Sequence, residues 1–356
     1  MEMVIRPLRT SPLRRSANSK QPSPGVTFIN NQTLIKSMNK EERISLITRN
    51  TEEVIGRERL TDILKKKKPI TYCGYECSGE IHLGHLVTIT KLLDLQKAGI
   101  HIKILFADWH TWLNRKGDWN FIRKTTKIWE KGFKASGLTK AEFILGSSFQ
   151  MKKEYINDIF QMSLKTTISR ALRSMQQVAR DIEHAKVSQV IYPFMQIADI
   201  KHLSVDIVEA GMEQRKIHML GHELFPTINY TTPIYLHTPL ISSLKGPGKM
   251  SSTDPSSMIS IRDTEKEIQS KINKAYCPEA QINENPILQI MQLIIFPRYE
   301  QINIKRPSKF GGSTTFNSYQ ELENAYKTKK LHPADLKSSV AEYLTKILSP
   351  IRKAFQ

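Results

Sequence analysis

At 356 residues the chain exceeds the roughly 250–300 residues at which single cores stop growing, so two domains are expected. Lysine and arginine total 53 against 34 acidic residues, giving a net charge of +19, and about +13 remains without the first forty residues; this suits a polyanionic partner rather than a small neutral metabolite alone. Three cysteines, Cys73, Cys77 and Cys277, exclude a paired disulfide framework and match no zinc spacing, and the absence of any apolar run near ~20 residues excludes a membrane helix.

Residues 1–37 carry Arg6, Arg9, Arg14, Arg15 and Lys20 among serines and prolines and read as a disordered basic extension. An organelle transit segment and a true start at Met38 are the alternatives, and without import a cytoplasmic, reducing location fits the thiols. From about Glu41 to Lys66 the pattern is helical and charged. An extended run, Pro69 to Tyr75, leads through a glycine turn to the helical spacing of Leu83, Leu86, Ile89, Leu92, Leu93 and Leu95. A strand at His101–Ala107, a helix at Trp119–Ser136 and a strand at Glu142–Leu145 come next.

Residues 151–184 read as basic helices without a strand, an insertion (about 146–185) on a sheet that resumes near Ser204–Glu209 and Pro233–Leu236. Beyond the glycine-rich loop at residues 245–249 the strands stop, and from Thr264 all is read as helix, including Glu321–Lys327 and Pro333–Ile351. The expected class is therefore α/β: a Rossmann-like doubly wound parallel sheet at 38–263 with a helical insertion, then an all-α domain at 264–356.

Two segments carry chemistry. His82 and His85 are three residues apart at a helix N-terminus, so both imidazoles share one face beside free N–H groups, and Gly79 and Gly84 let a ligand approach the backbone. A phosphate site is one reading, ordinary surface or core histidines another; zinc lacks a third ligand nearby. Lys249, Ser251, Ser252 and Thr253 follow a glycine loop, and one ammonium with three hydroxyls suits a mobile clamp on a triphosphate.

About 165 residues apart in an α/β chain, His82-Leu83-Gly84-His85 and Lys249-Met250-Ser251-Ser252-Thr253 resemble the signature pair of class I aminoacyl-tRNA synthetases. Tyr72-Cys-Gly-Tyr-Glu76, Ala107-Asp-Trp-His110, Tyr192-Pro-Phe-Met-Gln196-Ile-Ala-Asp199 and Gly211-Met-Glu-Gln214 are similar to the amino-acid pocket of the archaeal and eukaryotic tyrosyl-tRNA synthetases. The similarity runs from about residue 41 to the C-terminus.

The resemblance implies ATP with Mg2+, L-tyrosine and tRNA(Tyr) as ligands, and a homodimer. Tyr72 and Asp199 would bond the substrate phenol and Tyr192, Gln196 and Gln214 its ammonium, with Glu76 supporting that end and Leu105 and His110 beside the ring. Gly74, Gly79, Gly211 and Glu213 would serve ATP together with His82, His85, Lys249 and Ser252. The chemistry would be formation of a tyrosyl adenylate, then transfer to the terminal ribose of the tRNA, with His82, His85, Lys249, Ser251 and Ser252 carrying the charge stabilisation.

Arg173 and Arg215 align with family residues that read the first base pair of the tRNA. Phe310, His332 and Asp335 resemble the anticodon reader: a ring can stack on an unpaired base and a carboxylate can accept from guanine. A solvated basic face around Lys165, Arg170, Arg173 and Arg180, and a helix cap at His332, are the plainer alternatives. Three positions depart from the family pattern: Cys77 in place of proline, Ala210 in place of glycine and Thr253 in place of serine, with Ala210 expected to affect ATP affinity. Tryptophan as the substrate, and a non-catalytic RNA-binding descendant, are the competing functions. An indole offers one donor and no acceptor, which Asp199 opposite Tyr72 does not match.

Overall fold

The computed structural model describes residues 38–179, 181–251 and 254–356. The basic extension at 1–37, Arg180, Ser252 and Thr253 lie outside the described residues, as does the side chain of Phe310.

Asn39 and Glu42 exchange hydrogen bonds in a capping box that starts α1 (Lys40–Thr48). The helix expected to run to Lys66 ends instead at Thr48, where Asn50 takes φ 53°, a left-handed conformation that asparagine tolerates. The chain then forms a short strand β1 (Glu53–Ile55), a 3-10 turn at Arg57–Arg59 and one helical turn, α2 (Leu60–Ile63).

The alternating part runs β2 (Ile70–Tyr75), α3 (Leu83–Lys97), β3 (His101–Phe106), α4 (Asp108–Leu113), α5 (Trp119–Ala135) and β4 (Glu142–Leu145). The insertion supplies α6 (Lys153–Ser163) and α7 (Ile168–Ser174), and α8 (Val187–His202), β5 (Ile207–Gly211), α9 (Arg215–Leu224) and β6 (Ile234–Thr238) complete the sheet. Its order is β1-β6-β5-β2-β3-β4, parallel except for β1, which pairs antiparallel with β6. Successive strands β2, β3 and β4 step one way from the centre, and β5 and β6 step the other. The direction therefore reverses between β2 and β5, where only Thr71↔Ile207 and Tyr72↔Val208 are in register. Beyond Tyr72 the two strands part, leaving a crevice at their carboxyl ends, the place where open α/β sheets bind ligands.

The glycine-rich loop is the second strand of a small antiparallel pair, β7 (Ser242–Ser243) and β8 (Gly246–Lys249). Helices α10 (Glu265–Lys274) and α11 (Pro286–Ile290), the latter continuing as a π-turn at Met291–Ile295, lead to a feature the all-α expectation missed. Strands β9 (Ile302–Ile304) and β10 (Thr314–Phe316) pair antiparallel. In β9 the isoleucines are buried and Asn303 between them is exposed, the two-residue alternation of a half-buried strand. Helices α12 (Tyr319–Lys327) and α13 (Pro333–Ala354) close the described chain.

Two apolar clusters cover the two faces of the sheet. One joins Leu86 and Leu92 of α3 and Phe133 of α5 with Ile287, Leu336 and Leu344, so the helices beyond residue 264 share a core with the sheet. The other joins Tyr155, Ile197 and Ile217 from the insertion and α8–α9 to Tyr72 and Leu105.

Candidate active site

The crevice between β2 and β5 opens into a cavity of about 320 Å³. Tyr72 and Gly74 alternate onto the same face of β2, and a Cβ at residue 74 would stand 2.9 Å from the Tyr72 hydroxyl. Glycine there leaves the phenol its position. Leu105, in register with Gly74 on β3, is buried in the apolar cluster that backs Tyr72 and does not line the cavity.

At the floor, α8 delivers Asp199, which is fully buried. Its Oδ1 accepts from Gln150 Nε2 at 2.8 Å and from the Tyr155 hydroxyl at 2.9 Å, while Oδ2 has no hydrogen-bond partner among the described residues. Burial pushes the Asp199 carboxyl up to about 7, opposed by those two hydrogen bonds. His110 Nε2 lies 3.6 Å from Oδ2 and is also unpaired among them. This is not an ion pair, because burial pulls the His110 pKa down to about 3 and the ring is neutral. Its Nδ1 faces Gln150 Nε2 at 3.4 Å, a donor, so the single proton belongs on Nε2. Two buried atoms, one acceptor and one donor, thus point into the same space. Gln150 and Tyr155, which hold the carboxylate, went unnoticed in the sequence: they belong to no motif and lie 49 and 44 residues from Asp199.

Beside the floor, Tyr192 stands edge-on to His110 with ring centroids 4.5 Å apart. Gln196 Nε2 donates to Gln214 Oε1 at 3.2 Å, and both side chains line the cavity. The Glu76 carboxylate accepts from Asn114 Nδ2 and Lys116 Nζ, so it sits at the rim already paired with a cation. Lys116, which also lines the cavity, is a residue the motifs did not mark.

The opposite end gathers the two signature segments. His82 N-caps α3: its Nδ1 accepts from Gly84 N at 3.1 Å, and His85 Nδ1 accepts from His82 N at 3.1 Å. With Nδ1 of each ring an acceptor, the proton of each neutral imidazole sits on Nε2. Both rings are neutral, because burial pulls His82 down to about 4 and His85 well below the ordinary histidine range. A Cβ at residue 84 would stand 2.8 Å from the His82 ring, so glycine is required for this packing. Leu83 N donates to Ile259 O and Ile261 N to Ile81 O, which ties the chain after the lysine loop to the histidine segment. Lys249 and Ser251 therefore line the same cavity as His82 and His85.

Gly211 ends β5, and a Cβ there would stand 2.2 Å from Glu213 Oε2. The partly buried Glu213 side chain folds back over this glycine, its buried Oε2 has no hydrogen-bond partner among the described residues, and desolvation raises its pKa. Gly79, by contrast, does not line the cavity; its φ of 135° turns its carbonyl to Trp129 Nε1 at 2.9 Å.

Two of the three departures lie among the described residues, and Ala210 is one of those that line the cavity. Ala210 lies within β5 in register with His237 and is absent from the positive-φ residues, so the strand accommodates its Cβ. Cys77 fills a buried position in the main apolar cluster, and burial pushes its thiol well up, as it does that of Cys73.

The expected RNA contacts lie outside the cavity. Arg173 is exposed on α7, and Arg215, at the start of α9, makes a bidentate pair with Glu53 at 2.7 and 2.8 Å. His332 N-caps α13, its Nδ1 accepting from Ala334 N at 3.1 Å, with Asp335 in the first turn. Phe310 ends a 3-10 turn at Ser308–Phe310.

Residues 64–349 match the family model for class I tRNA synthetases of the W and Y kind. The tyrosine–tRNA ligase of Methanocaldococcus jannaschii is 48% identical over 88% of this chain and 99% of its own. That of Methanopyrus kandleri is 46% identical over 89% of this chain and 98% of its own. Among solved structures, the tyrosyl-tRNA synthetase of Archaeoglobus fulgidus, complexed with L-tyrosine, aligns with a TM-score of 0.86 and 46% identity over 89% of this chain and 99% of that one.

Proposed function

Since the chain belongs to the class I tRNA synthetases for tryptophan and tyrosine, we propose that the cavity takes L-tyrosine and ATP and charges tRNA(Tyr). The observation that carries the reading is the pair of unsatisfied atoms at the cavity floor, Asp199 Oδ2 and His110 Nε2, in the cavity that Tyr72 also lines. A phenol donates to the first and accepts from the second. Phenylalanine would leave both unpaired, and sites of this type reject such an analogue by about 10⁴–10⁵. An indole N–H satisfies only the acceptor, which disfavours tryptophan.

Gln196, Gln214 and Tyr192 would hold the ammonium, with Glu76 supporting that end from the rim, and Tyr72 and Asp199 the phenol. Leu105 would act only through its packing behind Tyr72. Gly74, Gly211 and Glu213 would receive the nucleotide, and Gly79 would shape the turn before the histidines. The tyrosine carboxylate attacks the α-phosphate, and the bond to pyrophosphate breaks. His82 and His85, each with a proton on Nε2, and Lys249 with Ser251 and Ser252 from the lysine loop would stabilise the charge that builds on the phosphates. Magnesium enters as part of the ATP substrate. The terminal ribose hydroxyl of the tRNA then attacks the adenylate carbonyl and AMP leaves, with positioning supplying the acceleration. Retention of His82, His85, Lys249 and the full phenol pocket argues against a non-catalytic descendant.

The basic surface supports an RNA partner, with Arg173 and Arg215 at the acceptor end and Phe310, His332 and Asp335 at the anticodon. The division into 38–263 and 264–356 is then one of task, not of separate cores. Trp112, Phe121 and Leu145 are large apolar residues left about two-fifths exposed, and Met151 more so, and such exposed apolar surface supports a homodimer. No described helix is long and apolar enough to cross a membrane; a cytoplasmic setting is the reading that suits three free thiols. Incubation with labelled tyrosine, ATP, magnesium and tRNA(Tyr) transcript tests the proposal: acid-precipitable tyrosine is expected, and its absence with tyrosine while tryptophan is incorporated would overturn it.

A further inference from the structure

Behind Gln196 runs a line of side chains that no motif marks. Gln196 Nε2 is 3.3 Å from His218 Nε2, His218 Nδ1 is 2.9 Å from His237 Nε2, and His237 Nδ1 is 2.9 Å from Glu53 Oε2. Glu53 in turn is held by the bidentate Arg215. His218 and His237 are buried and lie edge to edge with ring planes 18° apart, whereas Glu53 and Arg215 reach the surface. The pairing of β1 with β6 places Glu53 directly across from His237.

The protons along this line can be assigned from its outer end. Arg215 first, and His237 after it, hold the Glu53 carboxyl below its ordinary range, so Glu53 is ionised and only accepts. His237 must therefore carry its proton on Nδ1. Burial keeps both histidines neutral, which leaves His237 Nε2 bare and requires His218 to donate from Nδ1. His218 Nε2 is then bare in turn and accepts from Gln196. The Gln196 amide group spends one hydrogen on His218 and the other on Gln214 Oε1. Only its carbonyl oxygen remains for the cavity. Reversing that amide would set oxygen against a bare nitrogen, a repulsion in a dry environment.

We propose that Glu53, His237 and His218 are positioning residues for amino-acid binding: a proton-ordered chain, anchored at the surface by Arg215, that keeps the Gln196 carbonyl oxygen turned toward the ammonium of bound tyrosine. The inference rests on the reading of Gln196 as an ammonium ligand. It adds the reason that an amide, equally able to present a donor, presents an acceptor.

The test is ATP–pyrophosphate exchange by the full chain and the variants His218→Leu, His218→Gln and Glu53→Gln, together with inhibition by 3-(4-hydroxyphenyl)propionate, the tyrosine analogue without an amino group. His218→Leu is expected to raise KM for tyrosine by about tenfold or more, the worth of a hydrogen bond to a charged group. KM for ATP and the inhibition constant of the analogue stay within about twofold, since neither involves the ammonium. His218→Gln, whose amide oxygen can stand where Nε2 stood, recovers most of the loss. Glu53→Gln, at a partly exposed sheet edge and least able to disturb folding, gives the same pattern at about three- to fivefold. Wild-type KM values in all three variants, or parallel losses for tyrosine and for the analogue, would overturn the inference. A wild-type chain with no tyrosine-dependent exchange would refute the tyrosine reading itself and this inference with it.

Discussion

The free carboxylate oxygen of Asp199 stands 3.6 Å from Nε2 of His110, and neither atom has a hydrogen-bond partner among the described residues. A buried polar atom left unpaired costs about 1–3 kcal/mol, so two of them converging on one space mark a place completed by a ligand. Replacing Asp199 by alanine removes the acceptor and with it the penalty that excludes phenylalanine. The ratio of kcat/KM for tyrosine over phenylalanine is expected to fall from about 10⁴–10⁵ to about 10² or less, read in amino-acid-dependent exchange.

Gly211 and Ala210 are adjacent but face opposite demands. A Cβ at Gly211 would collide with Glu213 Oε2 at 2.2 Å, so Gly211→Ala should displace that carboxylate and raise KM for ATP by about tenfold, with KM for tyrosine changed less than about threefold. Ala210 already fits within β5, so Ala210→Gly should leave KM for ATP within about twofold. Equal effects from the two changes would contradict the geometry.

The pH dependence of the first step should lack the limb that ordinary histidines produce. Burial lowers His82 to about 4 and His85 well below its usual range, so both are neutral from pH 6 to 8. Protonation of either ring therefore arrives only well below pH 6. The rate constant for tyrosyl adenylate formation should show no limb near pH 6.5 that depends on His82 or His85, and any limb near 7 belongs to Asp199. A wild-type limb at that pH that vanishes in His82→Asn would contradict the assignment.

Glu209, fully buried on β5, has its pKa raised to about 8 by desolvation. The folded chain then holds a proton that the unfolded chain has lost, so this group's contribution to stability is full below its ordinary value of 4.5 and fades as pH rises through 8. In that window the slope from one such proton is at most about 1.4 kcal/mol per pH unit. Glu209→Gln removes it. The unfolding free energy of the variant, measured from pH 5 to 8, should fall less with rising pH than that of the parent; identical slopes would show that Glu209 is ionised.

Much of this fold is legible in the sequence because it rests on local pattern. Apolar runs bounded by turns mark the strands around Ile70–Tyr75, His101–Phe106 and Glu142–Leu145, and the leucine spacing marks the helix at Leu83–Lys97. The strand at Glu53–Ile55 is hidden in a charged stretch; three residues cannot display a period, and their pairing with β6 is a tertiary event. The Ile302-Asn303-Ile304 alternation is readable, yet too short to compete with the surrounding helical pattern. At the site, the motif residues are visible, whereas Gln150, Tyr155, Lys116, His218 and His237 are not. They act by meeting the motif residues across the fold, and nothing in their own neighbourhoods announces it.

The central claim is that the paired floor of this cavity selects tyrosine for activation. The most direct measurement is ATP–pyrophosphate exchange with each of the standard amino acids in turn, using the full chain, magnesium and no tRNA. Exchange with tyrosine alone, lost in the combined Asp199→Ala and Lys249→Ala variant, is the predicted result. Exchange with tryptophan in preference to tyrosine, or with no amino acid at all, would contradict it.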